Sequence, residues 1–208
     1  DGGDVRTFSK KGLERIFKSC GEKEYSFYYP YPDYKFMTTL YSDKYLPKKG
    51  ELVNNLRNFD RDRMLLFDEK KAFDGLIEEG MFPFYSNSYL AVLGNEPSTD
   101  YIRYSNDRAP QFQISTEITS ADGIRLVKKH ALLNEAIPHI EKMKDSFELL
   151  SERYDTKDFT VNPVLESDEM NTVVFPFEKG TTLASLMDGC LECNDEESFA
   201  RSYNRERD

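Results

Sequence analysis

The stretch Tyr25-Ser-Phe-Tyr-Tyr-Pro-Tyr-Pro-Asp-Tyr-Lys35 carries the aromatic density of a β-strand. Pro30 and Pro32 lack the amide hydrogen that a central ladder position needs, which predicts an edge-like or bulged strand. Directly before it, Leu13, Ile16 and Phe17 recur at helical spacing within Phe8–Cys20, and Gly21 supplies a helix stop. A helix followed by an edge strand cannot bury itself. The unit therefore reads as the tail of a larger fold.

Working outward, residues 24–41 read as paired extended segments, and 43–63, with Pro47, Gly50 and Asn54-Asn55, as polar irregular chain. Phe67, Phe73, Leu76 and Ile77 predict a helix over Phe67–Glu79 that Gly80 ends. Ser88-Tyr-Leu-Ala-Val-Leu93 is a short apolar run, expected as a buried strand, and Gly94-Asn-Glu-Pro-Ser-Thr-Asp100 has linker composition. Beyond it, Tyr101–Tyr104, Gln111–Ile118 and Ile124–Lys129 predict three successive strands, the last two joined by a turn at Ala121-Asp-Gly123. Leu133, Ile137, Ile140, Met143, Phe147, Leu150 and Tyr154 mark one face of a helix from about Leu132 to Tyr154, and Pro138 predicts a kink or a later start. Phe159–Leu165 and Thr172–Phe177 follow as strands, then Thr182–Glu192 as a helix after Gly180. The expected organisation is residues 1–94, a linker at 95–100, and 101–208.

Across 208 residues the chain is 38% hydrophobic and 32% charged, with a net charge of −10. That balance argues against broad electrostatic binding to nucleic acid or to an anionic membrane, but leaves room for a local basic site for a phosphorylated ligand. No apolar run is long enough to span a bilayer. Cys20, Cys190 and Cys193 are too few for a disulfide framework. Cys190-Leu-Glu-Cys193 has CxxC spacing with no second Cys or His pair beside it, so two cysteines on a helix are favoured over a redox or zinc site. A reducing, cytoplasmic setting follows by default.

Phe8-Ser-Lys-Lys-Gly-Leu-Glu-Arg-Ile-Phe17, then Tyr28-Tyr-Pro-Tyr-Pro-Asp-Tyr-Lys35, then Phe82-Pro-Phe-Tyr-Ser-Asn-Ser-Tyr-Leu-Ala-Val-Leu93, resembles the end of class I S-adenosylmethionine-dependent methyltransferases over about residues 5–94. The resemblance implies the last part of a Rossmann-like sheet: helix, edge strand, helix and an antiparallel closing strand. No glycine-rich cofactor loop occurs in these residues, so S-adenosylmethionine would be held by chain outside them. Tyr31, Asp33 and Tyr34 could line an acceptor pocket; packing of the tyrosines at the sheet edge and a turn bond from Asp33 are the favoured alternative.

The second half resembles the small N-terminal lobe of protein kinases: three antiparallel strands, a long helix, two strands and a helix. Val127-Lys-Lys129 closes the third strand, where a lysine would neutralise nucleotide phosphates and pair with a helix carboxylate. Lys129 shares a strand face with Val127 and is preferred over Lys128; Glu135, Glu141 and Glu148 all remain open as its partner. Thr172-Val-Val-Phe-Pro-Phe-Glu-Lys-Gly180 resembles the strand leading into a hinge, and Thr182-Leu-Ala-Ser-Leu-Met187 the helix behind it. Tyr104-Ser-Asn-Asp-Arg-Ala-Pro-Gln-Phe112 occupies the place of the phosphate-covering loop but contains no glycine, so Arg108 or Asn106 would have to supply side-chain donors. The resemblance implies ATP–magnesium as ligand. No catalytic-loop or metal motif follows, and His130 and His139 stand too early to serve in one.

The two resemblances in this order are similar to bifunctional methyltransferase–kinase proteins of bacterial surface-polysaccharide synthesis. The implied partners are a glycan or its lipid-linked precursor at the inner membrane face and the rest of a longer polypeptide. The rival expectation is a non-catalytic binding module built on a kinase-like lobe.

Overall fold

A computed structural model describes residues 7–52, 68–154 and 160–205. The fold mixes α-helices with one seven-stranded sheet, in which every pair of neighbouring strands is antiparallel. The chain divides into two compact units between Pro176 and Phe177.

Ser9 caps α1 (Lys10–Ser19) by accepting from the Gly12 amide, and Gly21 ends it at a φ of 84°. β1 (Tyr25–Tyr31) and β2 (Thr39–Ser42) form an antiparallel pair in which Tyr29 opposes Tyr41 and Tyr31 opposes Thr39. Asp68 caps α2 (Glu69–Glu78), and the single turn α3 (Phe82–Tyr85) leads into β3 (Leu90–Leu93). β4 (Thr99–Tyr104), β5 (Ile114–Ala121) and β6 (Ile124–Ala131) follow as a meander. α4 (Ile137–Tyr154) and β7 (Thr172–Pro176) complete the first unit, giving the sheet order β3-β1-β2-β4-β5-β6-β7. The second unit holds α5 (Leu183–Glu192), capped by Thr182, and α6 (Glu196–Arg205), packed on each other.

One face of the sheet carries the helices. Phe17 of α1 meets Tyr25 and Phe27, Phe82 of α3 meets Tyr29 and Tyr41, and Phe73 of α2 meets Tyr31, with ring centroids 5.2–6.0 Å apart. At the other end, Ile140 of α4 and Ala136 close over Ile114 and Val173. Lys10 pins α1 to this face: its ammonium donates to Tyr29 Oη at 2.7 Å and to Asp43 at 2.9 Å, and lies over the rings of Phe27, Tyr29 and Phe84.

Several expectations are corrected. β1 is not an edge strand, because β3 pairs along Tyr25–Tyr28 while β2 takes the other side. The prolines are tolerated because β3 stops at Tyr28, so the Pro30–Tyr31 end has a paired strand on the β2 side alone. The Tyr31–Pro32 peptide is cis. The apolar run before Gly94 is a terminal strand limited to Leu90–Leu93, with Leu90 and Leu93 about half exposed at 47% and 49%; Ser88 and Tyr89 lie before it, and the Phe82–Tyr85 start of the segment likened to a closing strand forms α3 instead. The segment expected as a linker does not interrupt the sheet: Thr99 and Asp100 already belong to β4, which pairs with β2 and β5. Pro138 sits in the first turn of α4, as its missing amide favours, but Leu150 and Tyr154 of the expected apolar face are exposed. Of the strand expected at Phe159–Leu165, Leu165 makes an isolated bridge to Val174, and 155–159 lie outside the described residues, as do 53–63 of the irregular segment. α6 has no counterpart in the sequence reading.

Candidate functional site

Directly opposed residues in antiparallel strands share a face. Thr39 opposes Arg103, Arg103 opposes Thr116, Thr116 opposes Lys129, and Lys129 opposes Val173. These five positions form one row across β2, β4, β5, β6 and β7 on the helix-bearing face. The row runs beside the α4 cluster through Val173, with Val127 and Phe175 as the next opposed pair on the same face.

The 105–113 connection delivers a further cation to this row. It has no glycine and is held by side-chain amides: Asn106 Nδ2 donates to the Met37 carbonyl at 3.1 Å, and Gln113 Nε2 to the carbonyls of Asn106 and Arg108 at 3.3 and 2.8 Å. A 3-10 turn at Pro110–Phe112 then seats Phe112 edge-on against His139 of α4, centroids 5.3 Å apart. Arg108, at the tip, lies near enough to Lys129 to act on its charge. The Lys129 ammonium is pushed below the ordinary lysine range, first by burial and then by the positive field of Arg108. Arg103 acts on the tyrosines of the same face. Burial drives Tyr101 up to about 12, Glu51 adds to the rise, and Arg103 opposes it.

Among the described residues, Lys129, Arg103 and Arg108 make no side-chain ion pair with a carboxylate. Lys128 points to the opposite face, where it pairs with Glu169. That separates the two lysines the sequence left open. Glu135, Glu141 and Glu148 are exposed, and none is paired with Lys129. Asn106 is spent on the loop itself.

The residues expected at an acceptor pocket are not gathered. Tyr31 is buried against Phe73, Asp33 accepts from the amides of Lys35 and Phe36 at 2.7 and 2.9 Å, and Tyr34 is 70% exposed. Asp33 thus makes the turn bond that its residue type favours. Cys190 lies on α5 and Cys193 at its end, both as free thiols.

The opposite face carries a polar chain that joins β4 to β7. Thr99 Oγ1 donates to Glu117 at 2.6 Å, Glu117 meets His130 Nε2 at 3.2 Å, and His130 Nδ1 meets Thr172 Oγ1 at 2.9 Å. The Glu117 carboxyl is held below the usual range, first by the His130 hydrogen bond, against an opposing push from burial.

Sequence reading missed Arg103. Tyr104-Ser-Asn pointed to the turn, but which face Arg103 takes follows only from the β4 register, and a bulge between Thr99 and Tyr101 resets that alternation. Compared with known proteins, the chain matches no family model, no curated protein and no solved structure. No helix among the described residues is long and apolar enough to cross a membrane.

Proposed function

We propose that this chain combines the closing part of a methyltransferase-like sheet with a kinase-like, nucleotide-binding small lobe, in a protein that modifies a bacterial surface glycan or its lipid-linked precursor at the inner membrane face. The observation that carries the nucleotide half is the placement of Val127 and Lys129 on the α4-bearing face of β6, within the order of three antiparallel strands, long helix, bridged strand pair and helix. There Val127 offers an apolar contact for a base and Lys129 a cation for phosphates. The methyltransferase half is supported by α1, β1, α2 and an antiparallel β3 in the expected order. S-adenosylmethionine would be bound, and a phosphoryl group transferred, by chain outside these residues.

A second reading, a non-catalytic binding or interaction module built on the kinase-like lobe, is supported by one observation: no α4 carboxylate pairs with Lys129 among the described residues. Calorimetric titration with MgATP and with adenosine tests the nucleotide reading. Both are expected to bind, and Val127→Glu to abolish adenosine binding; adenosine that never binds sinks it. The coding sequence on either side tests the rest, since a glycine-rich loop must precede these residues and an acidic metal motif must follow them.

A further inference from the structure

Three cations bear on one part of the sheet: Arg103 at the end of β4 and Lys129 in the middle of β6 share one cross-strand row on the helix-bearing face, and Arg108, at the tip of the β4–β5 connection, acts on the Lys129 charge. Arg103 and Lys129 stand two strands apart, about 10 Å at ordinary strand spacing, with the Thr116 hydroxyl position between them. Long guanidinium and ammonium stems span that gap easily. Like charges gathered without counterions cost free energy, and the cost grows as solvent is removed. Lys129 is half-buried, and Glu51, which acts on Tyr101 of the same face, accepts the Lys48 amide at 2.7 Å. The turn that presents Arg108 is fixed by Asn106 and Gln113 rather than left open, so the cation is positioned before any ligand arrives.

We infer that Arg103, Arg108 and Lys129 form a preassembled seat for the polyphosphate of a nucleotide, in which side-chain cations replace a glycine-loop backbone and hold the phosphates without a divalent metal. The inference rests on reading this face as a nucleotide site and names the part that carries the charge. Arginine suits the role because its planar fork binds two phosphate oxygens at once. The three positive charges offset most, but not all, of the negative charge of a triphosphate tail.

Calorimetry on the whole chain in EDTA, with sodium tripolyphosphate as the probe, tests the seat. Tripolyphosphate and ATP are expected to bind without magnesium. Arg103→Ala, Arg108→Ala and Lys129→Met should each weaken both by at least about tenfold, the scale of one lost charge-assisted hydrogen bond. Arg103→Lys should recover part of the loss, and Lys128→Ala, on the other face, should change nothing. Arg103 and Arg108 are exposed, so their variants fold, and a thermal melt of each confirms it. Failure of tripolyphosphate to bind in EDTA, or binding indifferent to all three substitutions, overturns the seat. If tripolyphosphate binds with the expected pattern while adenosine does not bind, the seat stands and the nucleotide reading falls. If adenosine and MgATP bind while the three substitutions leave MgATP untouched, the reading stands and the seat falls.

Discussion

Lys129 and Glu117 sit one register position apart on adjacent strands yet face opposite sides of the sheet, and both have depressed pKa values, so stability rises with pH through each of them, at opposite ends of the scale. A lysine whose folded pKa is depressed prefers to be neutral in the native state. Its penalty is therefore full at neutral pH and is relieved only as pH rises through the depressed value. Lys129→Met removes that penalty and keeps the apolar stem, so it should raise Tm at pH 7 by about 2–4 °C while weakening phosphate binding. A lower Tm in differential scanning fluorimetry contradicts this account. Glu117 is the depressed carboxylate: its stabilisation is present above the ordinary glutamate value of about 4.3 and lost as pH falls through the lower folded value. Urea midpoints measured from pH 3 to 7 should fall steeply at the acid end for the native chain. Glu117→Gln should flatten that limb and lower the pH 7 midpoint by an amount equivalent to about 1–2 kcal/mol. An unchanged acid limb would mean that the Thr99–Glu117–His130–Thr172 chain contributes nothing.

Among the elements, the β5–β6 hairpin was the most legible. Its two-residue turn, Asp122-Gly123, has positive φ at both positions, 51° and 78°, which is the chemistry that an Asp-Gly pair between alternating strands announces. Gly123→Ala should cost about 1–2 kcal/mol by urea unfolding and Asp122→Asn almost nothing, because only the first forces a Cβ into left-handed backbone. Equal losses would show that the turn type is misassigned. The start of α4 was legible for a similar reason, since Pro138 can occupy a first turn but not a helix interior. Other elements were hidden. An apolar run such as Leu90–Leu93 does not disclose whether strands flank it on both sides or on one. β2 is four residues long, too short for any periodicity, yet it joins β1 to β4. The cation row was half legible: Lys129 and Arg108 were marked by residue type and place, while Arg103 needed the register across β4 and β5.

The first unit is held together as one sheet, and its cooperativity should show it. Phe82, 2% exposed under α3, belongs to one end of the helix-bearing layer and Ile140, fully buried under α4, to the other. Phe82→Ala and Ile140→Ala should each remove about 2–5 kcal/mol from a single transition in urea. Two transitions, each moved by only one substitution, would restore the two-domain expectation for residues 1–94 and 101–208. The seam lies at Asp100. Its side chain is fully buried at the β4 bulge, where Oδ2 accepts from Ser120 and, at 3.2 Å, from Arg125, with the Lys44 ammonium 3.8 Å from Oδ1; its carbonyl accepts from Ser42 at 2.6 Å. Lys44 and Ser42 come from one side of the supposed linker and Ser120 and Arg125 from the other, so one carboxylate is answered by both halves. For anyone shuffling modules, a crossover placed at 95–100 would part this acid from cations chosen to match it. A grafted half would then bring a buried charge to a stranger, and a join at Pro176–Phe177 avoids that mismatch.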